Sequence, residues 1–187
     1  MVSLHWRVPP FTRVLQSLVS RGDELAVSTP DSRSATERPH ILIVSDDPDL
    51  SEFLGEGLML GGFWTSSVAS AIQTLEVFRL RTFDLVLVDA SLTAMGSVEL
   101  LRRLRATEDG ERPRTDLPVL IVAGSREEID ERVAMAAGAE GVYYPPLELE
   151  DLVPALYAVV DDWRSRHPGR PYADQIGPAE EINDLSR

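Results

Sequence analysis

The chain has 187 residues, 43% of them hydrophobic and 26% charged, with no cysteine and a formal net charge of −13. That length holds one ordinary domain with extensions and a real core. The missing thiols exclude disulfides, zinc-thiolate sites and thiol nucleophiles, and the negative charge argues against a nucleic-acid face or an anionic membrane surface.

Residues 1–39 stand apart from the rest of the chain, with little strand pattern and a polar linker, STPDSRSATERP, at their end. Within them Phe11, Val14, Leu15 and Leu18 recur at helical spacing, which predicts a short amphipathic helix over 10–20 with proline near its start. A helix this short needs a surface to cover, either its own domain or a partner or second copy. Arg7, Pro9 and Pro10 interrupt any basic-then-apolar signal peptide, and no apolar run is long enough to span a bilayer, so the cytoplasm is the expected compartment.

Strand and helix patterns alternate from His40 onward. ILIV at 41–44 reads as a buried strand, and SDDPD leads from it into a helix over 50–61 with Leu50, Phe53, Leu54 and Leu58 on one stripe. A short strand at 63–66 and a helix over 70–81, with Ile72, Leu75 and Leu80 near one face, come next. FDLVLVDA then opens at Phe83, a continuous apolar run bounded by aspartates that suits a central strand buried on both faces. A helix over 97–105 with Val98, Leu101 and Leu104 inward, a strand at 119–123, a helix over 127–137, a strand at 142–144 and a helix over 149–166 complete the series. Residues 167–187 are rich in breakers and acid and read as a flexible tail.

Five strands, each followed by a helix, argue for a doubly wound parallel α/β domain over 40–166. Such sheets place ligands beyond the carboxyl ends of their strands. In a 2-1-3-4-5 order, Asp46 and Asp89 meet at the switch point. A carboxylate at Asp89 needs a cation, a donor or water, or it is simply a cap in a βα loop. The three histidines are scattered and have no metal-like spacing.

With order and site in view, the chain resembles the receiver domain of bacterial two-component response regulators over about 40–166. ILIVSDDPDLSEFL is similar to that family's first strand and helix, FDLVLVDASLTAMG to its phosphoacceptor strand, LPVLIVAG to its fourth strand, and AAGAEGVYYPPLELEDL to the fifth strand and the entry to its last helix. The resemblance implies a flavodoxin-like fold and makes Asp89 the phosphoacceptor. It implies Mg2+ held, weakly here, by Asp46, Asp89 and the backbone carbonyl of Ser91. The family's first acid falls on Ser45, its switch Ser/Thr on Ala123, its lysine on Pro145 and its aromatic switch on Val142. A shifted match that pairs Asp46 with Asp47 remains an alternative, but no shift restores a lysine.

The resemblance admits two mechanisms. One is a pseudo-receiver without an attached output domain, acting by protein–protein contact with a histidine kinase or a downstream output protein, or as a homodimer. The other is a conventional Mg-dependent switch phosphorylated on Asp89. The expected interaction face is Tyr143, Tyr144 and Pro145, with the alternative that one tyrosine packs inward and the other covers a helix. A phosphatase using Asp89 is disfavoured because Ser91 stands where such enzymes need a second acid, so the protein is expected not to be an enzyme. A structural subunit of a larger assembly is the remaining option.

Overall fold

A computed structural model describes residues 38–106, 116–169 and 173. The helix expected over 10–20 lies outside the described residues, and so does most of the expected tail. The described chain runs β1 (His40–Val44), α1 (Pro48–Leu60), β2 (Trp64–Val68), α2 (Ala71–Leu80), β3 (Leu85–Asp89), α3 (Ser97–Arg105), β4 (Val119–Val122), α4 (Glu131–Ala136), β5 (Gly141–Tyr143) and α5 (Leu149–Arg166). The five strands form one parallel sheet in the order β2-β1-β3-β4-β5.

The continuous apolar runs are strands because both of their faces are covered. Ile41, Ile43, Leu85, Leu87 and Leu120 face α1 and α5, meeting Leu54, Leu58, Leu152, Leu156 and Val160. The alternate residues Leu42, Val44, Val86, Val88, Val119 and Ile121 face the other way, toward Phe78 of α2, Leu100, Leu101 and Leu104 of α3, and Ala134 of α4. Parallel strands joined by crossover helices bury their sheet in this way.

Local chemistry sets the helix limits. Asp47 caps α1, accepting from the N–H groups of Asp49 and Leu50, and Pro48 occupies the first turn, where its missing donor is not needed. This starts the helix two residues before the predicted 50. Ser70 caps α2 and fixes its inward stripe as Ala71, Thr74 and Phe78, so Ile72 and Leu80 face solvent, against expectation. The Thr74 hydroxyl donates to the Ser70 carbonyl at 3.0 Å, which satisfies it inside the core. Likewise Leu100 is buried in α3 and Val98 only in part.

The largest shift is at α4. The predicted helix over 127–137 begins only at Glu131, because Asp130 accepts from the N–H groups of Arg132 and Val133 and caps the helix there. The second strand runs over Trp64–Val68 where 63–66 was expected. Helix α5 matches its predicted span, and its Pro154 is exposed, leaving the freed carbonyl one turn back to solvent.

At the opposite end of the sheet from the strand carboxyl ends, Asp84 is buried and accepts from His40 N–H at 2.8 Å. Arg164 of α5 reaches it at 2.8 Å. The amide of Ala173, itself buried, also donates to Asp84, so at this residue the expected tail lies against the sheet.

Candidate functional site

The carboxyl ends of β1, β3 and β4 lie level. Val44 is the partner of Val88, and Asp89 is the partner of Val122. The residue after Val44 therefore stands beside Asp89. That residue is Ser45, not Asp46, so the ungapped match of the first strand holds in space.

Asp89 is only 5% exposed, and three donors satisfy it. Its Oδ2 accepts from the Ser45 hydroxyl at 2.6 Å. Its Oδ1 accepts from the Ser91 N–H at 2.8 Å and the Ser91 hydroxyl at 2.7 Å. A serine has one proton to give, and the short bond to Asp89 takes it. The Ser45 oxygen in turn accepts from Asp47 N–H at 3.1 Å.

Asp46 turns to another partner. Its Oδ2 accepts from the Thr93 hydroxyl at 2.7 Å and from the Thr93 N–H at 3.2 Å. The hydroxyl bond first, then the amide bond, holds this exposed carboxyl below its ordinary value of 3.8. Thr93, where the resemblance would place proline, thus ties the loop after β3 to the loop after β1. Asp47 is the cap of α1, which explains it without a metal.

A cleft of about 510 Å³ opens over these strand ends, lined by Asp89, Ser91, Ala123, Gly124, Glu128 and Pro146 among others. Ala123 is fully buried and presents a methyl group where a hydroxyl would be needed. Among the described residues, no lysine or arginine lines the cleft, and all 18 basic residues of the chain are arginines. Two carboxylates suffice for magnesium, which keeps several waters. The fit here is partial, because both of them already accept hydrogen bonds from neighbouring hydroxyls. Among the described residues, no group of three or more Asp, Glu, His or Cys side chains is arranged to hold a metal.

A model of the response regulator receiver domain matches residues 41–157. The chain belongs to the receiver family. Curated relatives of this receiver include the regulatory protein VirG of Rhizobium radiobacter, 30% identical over 115 residues, covering 61% of this chain and 40% of that one. The transcriptional regulatory protein PrrA of Mycobacterium tuberculosis is 30% identical over 146 residues, covering 76% and 58%. The chain spans about half the length of the curated relatives it matches. Among solved structures, a putative response regulator from Chloroflexus aurantiacus superposes with a TM-score of 0.60 at 24% identity, covering 67% of this chain and 99% of the other. A sensor protein from Polaromonas superposes at 0.58 with 30% identity, covering 67% and 98%.

The two tyrosines of this receiver divide. Tyr143 packs against the core layer between the sheet and α1 and α5, and burial pushes its phenol up to about 12. Tyr144 points to the other layer, where the guanidinium of Arg126 lies 4.5 Å from its ring centroid. Val142, at the aromatic switch position, is half-buried against the same layer.

Three features escaped the sequence reading: the Ser45–Asp89 bond, the Thr93–Asp46 bond, and a contact between Gly124 and Glu128. The last carries a faint signal, a glycine and a glutamate four apart in a loop. The first two join residues more than forty positions apart, and only the strand register reveals them.

Proposed function

We propose that this protein is a receiver that works by protein–protein contact without depending on phosphorylation of Asp89. The observation that supports this most directly is the closed hydrogen-bond set Ser45–Asp89–Ser91. A nucleophilic carboxylate must be free to attack a phosphorus atom, and the transferred group then needs a cation and a hydroxyl to hold it. Here both carboxylate oxygens are engaged, Ala123 offers no hydroxyl, and Pro145 offers no ammonium. The added charge would meet no protein group that differs between two states, and a ligand shifts populations only by differential interaction.

In this reading the protein is a binding module of the cytoplasm and performs no turnover. Its partner is a histidine kinase or a downstream output protein. Magnesium binds weakly, through Asp46, Asp89 and the Ser91 carbonyl. The face offered to the partner contains Tyr144 and Pro145. The names of VirG and PrrA describe those longer proteins, and regulation of transcription enters here only as a class of output.

A second reading, a conventional switch, is favoured by one observation: Asp89 stands at the end of β3, where the family resemblance puts the phosphoacceptor. The deciding experiment incubates the protein with magnesium and acetyl phosphate and reads its intact mass. The expected result is no adduct, or a slow and partial one. Rapid, complete gain of one phosphoryl group on Asp89, with a change in partner affinity, would establish the switch instead.

A further inference from the structure

The loop after β4 holds a carboxylate in an unusual place. Asp89 is the partner of Val122, and Ala90 N–H donates to the Val122 carbonyl at 2.8 Å, so the chain leaving β4 passes beside the phosphoacceptor. Two residues on, the Gly124 N–H donates to Glu128 Oε2 at 2.7 Å. The side chain lies so close over the glycine that a Cβ there would come within 2.7 Å of Glu128 Oε1. Asp89, Gly124 and Glu128 line the same cleft.

A backbone N–H at the rim of a strand-end cleft is a natural donor to an oxyanion. In this chain that donor is taken. We propose that Glu128 is a resident anion, whose carboxylate occupies the Gly124 amide and shuts out the oxygen of an external phosphate or phosphoryl group. This rests on the receiver reading of the cleft and adds a second, separate reason for it to stay silent. An internal carboxylate four residues away competes from a high effective concentration. The other acids of the cleft, Asp47, Asp89 and Glu148, repel an incoming anion further, and among the described residues no cationic side chain lines the cleft to offset them. Glycine at 124 is what lets the carboxylate close down on the amide.

The test tracks the amide at position 124 by NMR in the full chain during titration with inorganic phosphate. In the wild type it should stay still. In Glu128→Ala it should move saturably, with apparent affinity at least about tenfold tighter than wild type, the scale of one charge-assisted hydrogen bond. Gly124→Ala, whose methyl would push aside the flexible carboxylate end, should respond likewise. Glu127→Ala removes the same charge one residue away and should behave as wild type. The proposal is overturned if the wild-type amide already responds as the variant does, if neither Glu128→Ala nor Gly124→Ala responds, or if Glu127→Ala responds equally. None of these readouts requires phosphorylation of Asp89, which intact mass reports separately, so this contact and the silent-receiver reading can fail independently.

Discussion

The Ser45 hydroxyl stands 2.6 Å from Asp89 Oδ2, in the position where a receiver of the usual kind brings a second carboxylate toward the phosphoacceptor. The exchange converts two like charges into a donor and an acceptor. A buried carboxylate gains from such a bond, because hydrogen bonds to charged groups contribute about 1.5–3 kcal/mol. Ser45→Ala should therefore lower the unfolding free energy by about 1–3 kcal/mol, measured by urea titration. Ser45→Asp should act in the opposite sense on metal, tightening magnesium binding by about tenfold or more as the pocket regains a negative charge. Calorimetric titration that shows equal magnesium affinity for wild type and Ser45→Asp would count against a metal site at these strand ends.

Thr93 holds Asp46 in a way that pH can probe. The two bonds from Thr93 favour the charged carboxylate, so the folded value lies below the unfolded one. The contribution to stability is then present above the ordinary value of 3.8 and lost as pH falls through the lower folded value. Carbon-detected NMR titration should place the Asp46 carboxyl below that ordinary value. Thr93→Val removes the larger cause and leaves the amide, so the carboxyl should move part of the way back up. An unchanged titration in Thr93→Val would mean that the hydroxyl bond does not form in solution.

Much of this architecture is legible in the sequence, for identifiable reasons. ILIV, LVLV and VLIV are too short and too continuous for surface helices, which gives the class of buried parallel strands, while the order 2-1-3-4-5 comes with the family resemblance. Ser45, Asp89, Ala123 and Pro145 could be placed because each stands at or just beyond the carboxyl end of a strand. The misplaced start of α4 has a local cause: Asp130 caps more strongly than the preceding Glu127-Glu128 can extend, and the charge pattern of 127–137 does not reveal which residue ends the loop. Side-chain pairing between loops, as between Asp46 and Thr93, depends on two chain directions at once and leaves no periodic trace.

Tyr143 and Tyr144 should separate into a structural and a surface role. Tyr143 packs against the α1–α5 layer, and its phenol is raised from 10.0 to about 12 by burial. The unfolded chain ionises first, so stability is full below about pH 10 and falls by about 2–3 kcal/mol between pH 10 and 12. Tyr143→Phe should remove that decline, seen in denaturation series at pH 9 to 12. Tyr144 packs only in part, with Arg126 over its ring, and Tyr144→Ala should leave the fold intact while weakening capture of a protein partner. If Tyr144→Ala binds and sediments as wild type does, the β5 face is not the docking surface.

The three departures at the strand ends should be reversible together. Ser45→Asp restores an acid beside Asp89, and Ala123→Thr places a hydroxyl at the end of β4. Pro145→Lys supplies a cation next to Pro146 of the cleft wall, whose described lining holds no cation. Each alone meets one requirement of phosphoryl transfer and leaves two unmet among the metal, the hydrogen bond and the point charge on the transferred group. Acting on one transition state, the three are expected to be more than additive. The triple variant should phosphorylate from acetyl phosphate at least about a hundredfold faster than wild type, the rate increase that about 2.7 kcal/mol of transition-state stabilisation provides. Adding Glu128→Ala should raise the rate again, since it frees the Gly124 amide for the phosphoryl oxygens. Time-resolved intact mass reads all of these. Should the wild type react as fast as the triple variant and change its partner affinity on doing so, then Ser45, Ala123 and Pro145 do not silence this receiver.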